Sequence, residues 1–403
     1  MIPGRGEPVE TATVCFEGGS ITYAGARAAA PPIDRTDGET VVEVNTVMPG
    51  LWDCHAHFVG LTSGDLEKLG TTNPITATAR AAADVTKTLL GGVTSVRDVG
   101  GLGLQMAPAV TEGRLLGPNI HAAGRILSTT GGHADIHGYP LDFAHAISCA
   151  HSFGVLCDGV PEVLKAVRTN LRANAKLIKI CASGGVMSEV DHPIHQQFSD
   201  EELRAIVEEA GRAERIVAAH CHGKPGIMAA LRAGCHTIAH GSYLDEEAAD
   251  LMVENGAIFV PTRFVVDELL GQEDVLPRYA YEKGKMVAEV HEQAMKIAVA
   301  KGVRIAAGCD IFMSGTDMYG RNSGEVRHLI EAGMTDLEAV EAATATAPET
   351  LGRQAPRSGQ LKAGFDADLI AFDANPLDDR SIWGDRTRLT NIWKGGGAVV
   401  RSD

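Results

Sequence analysis

Eight short runs rich in β-branched and apolar residues recur along this 403-residue chain, at 45–54, 92–99, 119–123, 176–181, 216–221, 236–240, 258–262 and 303–309, and helical patterns follow most of them. Short apolar runs without strict alternation suit strands covered on both faces, and strands alternating with helices build a parallel sheet. The pattern predicts an α/β fold with a (β/α)8 TIM-like barrel over residues 49–355, whose active site lies where the strands end. Among the intervening helices, the one expected over 200–213 carries Ser199 as N-cap and Glu202 at the capping-box position.

The two chain ends have a different rhythm. Runs at 11–16, 20–24 and 40–44, and again at 367–372, 391–393 and 398–401, read as antiparallel strands between Gly and Pro turns. Residues 1–48 and 356–403 are expected to pair as one small β-sandwich domain. Apolar residues make up 44% of the chain, enough for a large core, and the 46 glycines suit many short turns. The stretch 126–159 is long, rich in His and Gly and poorly periodic, which predicts a lid or mobile segment.

A net charge of -16 disfavours nucleic acid and anionic membranes as partners, because phosphate binding needs clustered Lys and Arg. A small-molecule substrate is expected instead. The N-terminus shows no signal-peptide pattern and no run is long and apolar enough to span a bilayer, so the chain reads as cytoplasmic. The eight cysteines are scattered, and Cys54, Cys181, Cys221, Cys235 and Cys309 fall in or beside core strands, which suits buried free thiols better than a disulfide framework.

Ligand-type residues stand at the strand ends. The first run leads into His55-Ala56-His57, the fourth carries Lys179, the fifth ends at His220, the sixth at His240 and the eighth at Asp310. His-x-His on a strand puts both imidazoles on one side, where they suit a borderline metal such as zinc. Alone that motif is weak; four more ligand-type residues on the same predicted face make it a metal site. Lys179 sits among apolar neighbours, where a buried ammonium loses its proton readily and the neutral amine can add carbon dioxide. The carbamate so formed would bridge two cations. The alternative is a core lysine paired with Asp98 or Asp310.

The whole pattern resembles the amidohydrolase superfamily. The resemblance runs from the barrel to the closing segment Gly364-Phe365-Asp366-Ala367-Asp368-Leu369. Lys179-Ile180-Cys181-Ala182-Ser183-Gly184-Gly185-Val186-Met187-Ser188 and Ala219-His220-Cys221-His222-Gly223-Lys224 look like the group that contains ochratoxinase, Xaa-Pro dipeptidases and related carboxypeptidases, with molinate and phenylurea hydrolases nearby. The resemblance implies two divalent ions, zinc first and cobalt or manganese as substitutes. His55, His57 and Asp310 would hold one, His220 and His240 the other, with carboxylated Lys179 as the bridge. Asp310 would orient the water shared by the ions, take its proton and pass it to the leaving nitrogen. A symmetric homo-oligomer is implied as well. Relative to the family, the first strand of the sandwich is missing, so either the start lies upstream or the small domain has an exposed edge.

Further residues carry open alternatives. In Thr130-Gly131-Gly132-His133-Ala134-Asp135 the resemblance makes His133 an oxyanion stabiliser, against a packing role in a His-rich loop. His222, two residues after His220, contacts a substrate carboxylate or packs behind the ligands. Arg263 either pairs with that carboxylate or forms a salt bridge within the rim. Asp98 is expected to support the ligands. His137, His145, His151, His192 and His195 fall in loops and receive no role. The expected reaction is hydrolysis of the amide of an N-acyl amino acid or dipeptide, with a urea, carbamate or thiocarbamate as the alternative substrate. A non-catalytic binder on the same fold, and a single-metal deaminase or barrel phosphatase, are the competing classes.

Overall fold

The computed structural model describes residues 1–32 and 40–399. In chain order, β1 (Ala12–Glu17) and β2 (Ser20–Ala26) form an antiparallel hairpin, and β3 (Thr46–Pro49) follows. The first barrel arc holds β4 (Leu51–Leu61), β5 (Val93–Asp98) and β6 (Asn119–Ala122), all parallel. After β7 (Ile126–Ser128) and β8 (Gly154–Leu156), the second arc runs through β9 (Ile178–Cys181), β10 (Val217–Cys221), β11 (Thr237–His240), β12 (Ile258–Val260) and β13 (Arg304–Ile305). Backbone hydrogen bonds join the arcs on both sides: Lys176 N to Ala122 O and Cys54 N to Ala307 O, each 2.9 Å. The eight expected runs therefore close as a barrel.

Beyond it, β14 (Ile311–Met313) lies parallel to β4, while β15 (Leu369–Phe372), β16 (Leu389–Lys394) and β17 (Gly397–Ala398) form an antiparallel sheet that β3 completes. The run at 45–54 is thus two strands rather than one. The chain breaks at Gly50, where a Cβ would overlap Thr94, and the half before the break pairs with β15 instead of entering the barrel. Residues 40–44, expected as a strand, form none, and of the run at 398–401 the last two residues lie outside the described residues. Ile21, Leu361, Ala367 and Leu369 make a small separate core where the two chain ends meet.

Inside the barrel, Trp52, Cys54, Leu177, Ala218, Ile258, Val260 and Ala306 pack in a layer below the strand ends. Arg97 threads this layer fully buried, donating to Cys54 O (2.6 Å), Thr350 O (3.1 Å) and Thr237 Oγ1 (3.3 Å), which offsets part of the cost of burying a guanidinium, while its second terminal nitrogen has no hydrogen-bond partner among the described residues. The helix Asp200–Arg212 has the anticipated reciprocal Ser199–Glu202 capping box. The stretch 126–159 is more ordered than expected: it holds β7, β8 and the helix Leu141–Ala150, whose inner face is only Ala144 and Ser148, too little apolar surface to give a periodic signal. No disulfide joins any of the eight cysteines, all of which lie among the described residues, and six are buried. No helix among the described residues is long and apolar enough to cross a membrane.

Candidate active site

Register decides which side chains meet above the packed layer. Lys179 stands level with Ala218 and His220 level with Cys181, so Lys179 starts two residues lower and its long stem spans the difference. The small Ala218 leaves room beside it. The same ladders set His220 next to Ala239 and His240 next to Cys221. At or beyond the strand ends, His240, Thr262 and Asp310 hold left-handed backbone at φ 68°, 60° and 60° without being glycine. Each such conformation costs on the order of 1–3 kcal/mol and persists at sites that the surrounding fold over-determines.

The six expected ligand positions come together. His55 Nε2 lies 3.2 Å from Lys179 Nζ and 3.5 Å from Asp310 Oδ1, and His57 Nε2 lies 3.3 Å from the same oxygen. Rings of His55 and His240 are 4.8 Å apart, those of His220 and His240 4.4 Å. Two groups of potential ligand atoms lie within 4.8 Å of one another: His55, His240 and Asp310, and His220, His222 and His240. His222 thus joins the cluster itself, a closer placement than the sequence reading gave it.

The outer nitrogens of these rings are tied down. His57 Nδ1 meets Gly100 O at 2.7 Å and His220 Nε2 meets Gly184 O at 3.1 Å; a carbonyl only accepts, so each of these nitrogens carries hydrogen and the opposite one is free as a ligand. Thr262 gives its own hydrogen to Pro261 O (2.6 Å) and accepts from His240 Nδ1 (2.8 Å), leaving His240 Nε2 bare, buried and without a hydrogen-bond partner. Burial first, and neighbouring cationic groups second, hold His55, His220, His222 and His240 well below the usual imidazole range. Neutral buried imidazoles with orphaned nitrogens around a carboxylate are the donor set a divalent ion requires. Burial also brings the Lys179 ammonium down to about 8, and it makes no ion pair among the described residues, with Asp98 or with Asp310.

A two-lobed cavity opens over the cluster, and His133, His220, His240 and Asp310 line both lobes. Val265, Leu269, Leu276 and Val287 make the first lobe apolar, with Tyr281 and His222 as polar groups; Leu66, Ile126 and Phe153 do the same for the second. His133 stacks on His220 at 4.2 Å, and burial pushes its ring down to about 4.

Arg263 is placed elsewhere. Its guanidinium pairs with Asp267 (2.6 Å) and donates to Ala288 O (3.1 Å), outside the cavity lining, so the geometry is that of the rim salt bridge and not of a substrate carboxylate contact. Asp98 also stays behind the site, accepting from Phe58 N (3.1 Å) and Gly100 N (3.3 Å) and so fixing the loop whose carbonyl holds His57. His137, His145, His151, His192 and His195 do not line the cavity. Thr262, Tyr281, Ser242, whose Oγ lies 2.8 Å from His222 Nδ1, and Ser188, whose Oγ lies 2.8 Å from His133 Nδ1, have no signal in the sequence, since single hydroxyls far from their partners leave no spacing pattern.

A closed β/α barrel with imidazoles, a lysine and an aspartate gathered at its strand ends is the arrangement of a barrel enzyme whose donor groups could hold metal ions. The chain belongs to the amidohydrolase family: the family model matches residues 46–399. It is 42% identical to ochratoxinase of Aspergillus niger over 98% of this chain and 84% of that protein, and the crystal structure of A. niger ochratoxinase superposes with a TM-score of 0.88, covering 98% of this chain and 93% of that one. A prolidase solved with N-methylphosphonate-L-proline is 34% identical, with a TM-score of 0.89 and coverage of 97% and 95%. Molinate hydrolase, 20% identical with a TM-score of 0.78 and coverage of 99% and 92%, shares the fold. The chain is a hydrolase of amide-type bonds.

Proposed function

We propose that this enzyme cleaves the amide of an N-acyl amino acid or dipeptide with an apolar group on each side of the scissile bond, using two divalent ions held by His55, His57, Lys179, His220, His240 and Asp310. The observation that carries the reading is the cavity: two apolar lobes meet over one cluster of neutral imidazoles and a carboxylate. The donor set suits zinc, with cobalt or manganese as substitutes, and Lys179 as its carbamate supplies the anionic bridge. Bound divalent ions would supply Lewis acidity and a water ionised near neutral pH.

The chain's own groups do the rest. The lobes take the acyl and amino-acid sides and exclude water from the bond between them. Asp310, 22% exposed beside the buried His55 and His240, reaches into both lobes, where its carboxylate takes the proton of the attacking water and hands it to the leaving nitrogen. His133, lining both lobes, faces the carbonyl or the nitrogen. His222 and Tyr281 are the polar groups available to a substrate carboxylate. The domain division at 48/49 and 355/356 keeps all of these residues within the barrel unit.

One observation favours a second reading, a neutral urea, carbamate or thiocarbamate. Among the described residues lining the cavity there is no guanidinium, and Lys179 is the single ammonium. Hydrolysis rates for N-acyl amino acids, their methyl esters or amides, and phenylureas of matched size separate the two. Preference for the free acid supports the first reading; equal or better turnover of the neutral compounds overturns it.

A further inference from the structure

Behind His133 runs a hydrogen-bonded chain of two further side chains. His133 Nδ1 lies 2.8 Å from Ser188 Oγ, and Ser188 Oγ donates a short hydrogen bond to Asp191 Oδ1. The other Asp191 oxygen accepts from Gly185 N (2.9 Å) and Gln197 Nε2 (3.1 Å), and the same Gln197 accepts from His133 N (3.2 Å). Lys283 stands 3.8 Å from Asp191 Oδ1 and donates to Ser188 O (2.7 Å) and Asp191 O (2.5 Å), pinning the loop from outside. The Asp191 side chain is only 6% exposed.

Counting hydrogens fixes the direction of the chain. Donors surround the Asp191 carboxylate, so it acts as the acceptor. Ser188 has one hydroxyl hydrogen and gives it to Asp191, so its oxygen is left to accept from His133, and Nδ1 is the ring nitrogen that carries hydrogen. The ring is also held by its neighbours. One face stacks on His220, and the Gly185 backbone comes so close to the Nδ1 edge that a Cβ there would overlap the ring. Turning the ring over would put a carbon against Ser188 and break the chain.

We propose that Ser188 and Asp191 are positioning residues that act through His133, locking it as the Nδ1–H tautomer and presenting Nε2 to the reacting group of the substrate. The proposal rests on His133 facing substrate, as in the reading above, but the tautomer itself is independent of which bond is cleaved. It replaces the oxyanion role expected for His133: with the ring's hydrogen committed to Ser188, Nε2 of the neutral ring is an acceptor, suited to an N–H of the substrate or leaving group and not to an oxyanion.

The test is nitrogen NMR on zinc-loaded enzyme labelled with 15N-histidine, with the His133 signals identified by their loss in His133→Gln. Wild-type enzyme is expected to show His133 as the Nδ1–H tautomer, and Ser188→Ala to shift it toward Nε2–H. In the same variant kcat falls about 10- to 100-fold, the usual cost of removing the outer partner of a working imidazole, with KM little changed. Ser188→Thr, which keeps the hydroxyl, restores both readouts, and Asp191→Asn moves both in the direction of Ser188→Ala. An unchanged tautomer in Ser188→Ala overturns the proposal, whatever substrate the enzyme prefers.

Discussion

Lys179 Nζ lies 3.2 Å from His55 Nε2, a cationic side chain set against a ring whose own proton affinity burial has already lowered. Among the described residues no carboxylate pairs with it, so the position makes chemical sense once the amine is neutral and modified. Replacing Lys179 with Ala is expected to lower turnover by about 100-fold or more and to weaken binding of one of two metals. Millimolar propionate, whose carboxylate fits the vacated stem, should restore part of the rate. A Lys179→Ala enzyme with full activity, or one whose metal content and rate ignore added carboxylate, speaks against the bridge.

Thr262 fixes His240 from behind, and both hold left-handed backbone. Thr262→Val removes the hydroxyl while keeping the branched shape, and metal affinity measured by competition with a chelator should drop about 10- to 100-fold. Thr262→Ser should bind metal nearly as wild type. Equal affinities in all three would show that the hydrogen bond does not set the ring.

Arg263 is held by Asp267 and Ala288 O outside the cavity. Arg263→Met is expected to cost about 1 kcal/mol of stability or less, in line with a partly exposed pair, and to leave the ratio of KM values for anionic and neutral substrates as it was. A rise in KM confined to anionic substrates would place the guanidinium in the site after all.

Glu325 is buried at the start of the helix Arg263–Leu270, accepting from Arg263 N (3.1 Å) and Phe264 N (2.7 Å), yet burial outweighs these donors and raises its carboxyl from 4.5 to about 8. Its contribution to stability is complete below about pH 4.5. Between there and about pH 8 the folded state keeps a proton that the unfolded state releases, so stability falls as pH rises, by at most about 1.4 kcal/mol per pH unit. Melting temperatures from pH 5 to 8.5 should decline less steeply in Glu325→Gln, although that variant loses one of the two capping contacts. Parallel profiles would show that Glu325 is ionised throughout.

Much of this arrangement is legible in the chain because strands report by periodicity and barrels put their chemistry at strand ends. His55, His57, Lys179, His220, His240 and Asp310 could be picked out on that logic, and the structure gathers them within a few ångströms. What sets their exact posture was not legible. Ser188 meets His133 across 55 positions and Thr262 meets His240 across 22, distances that no local pattern records. The break at Gly50 depends on Thr94 standing against it, and residues 40–44, expected as a strand, form none. Arg263 looked available to substrate because Asp267, one helical turn later, is an equally ordinary surface residue until the helix forms.

The most direct measurement is amide hydrolysis followed through removal and return of metal, with folding monitored by circular dichroism throughout. The account predicts that the chelated enzyme stays folded, loses cleavage of N-acyl amino acids, and regains it as zinc is restored to about two ions per chain. Undiminished hydrolysis by the folded, metal-free protein would contradict it.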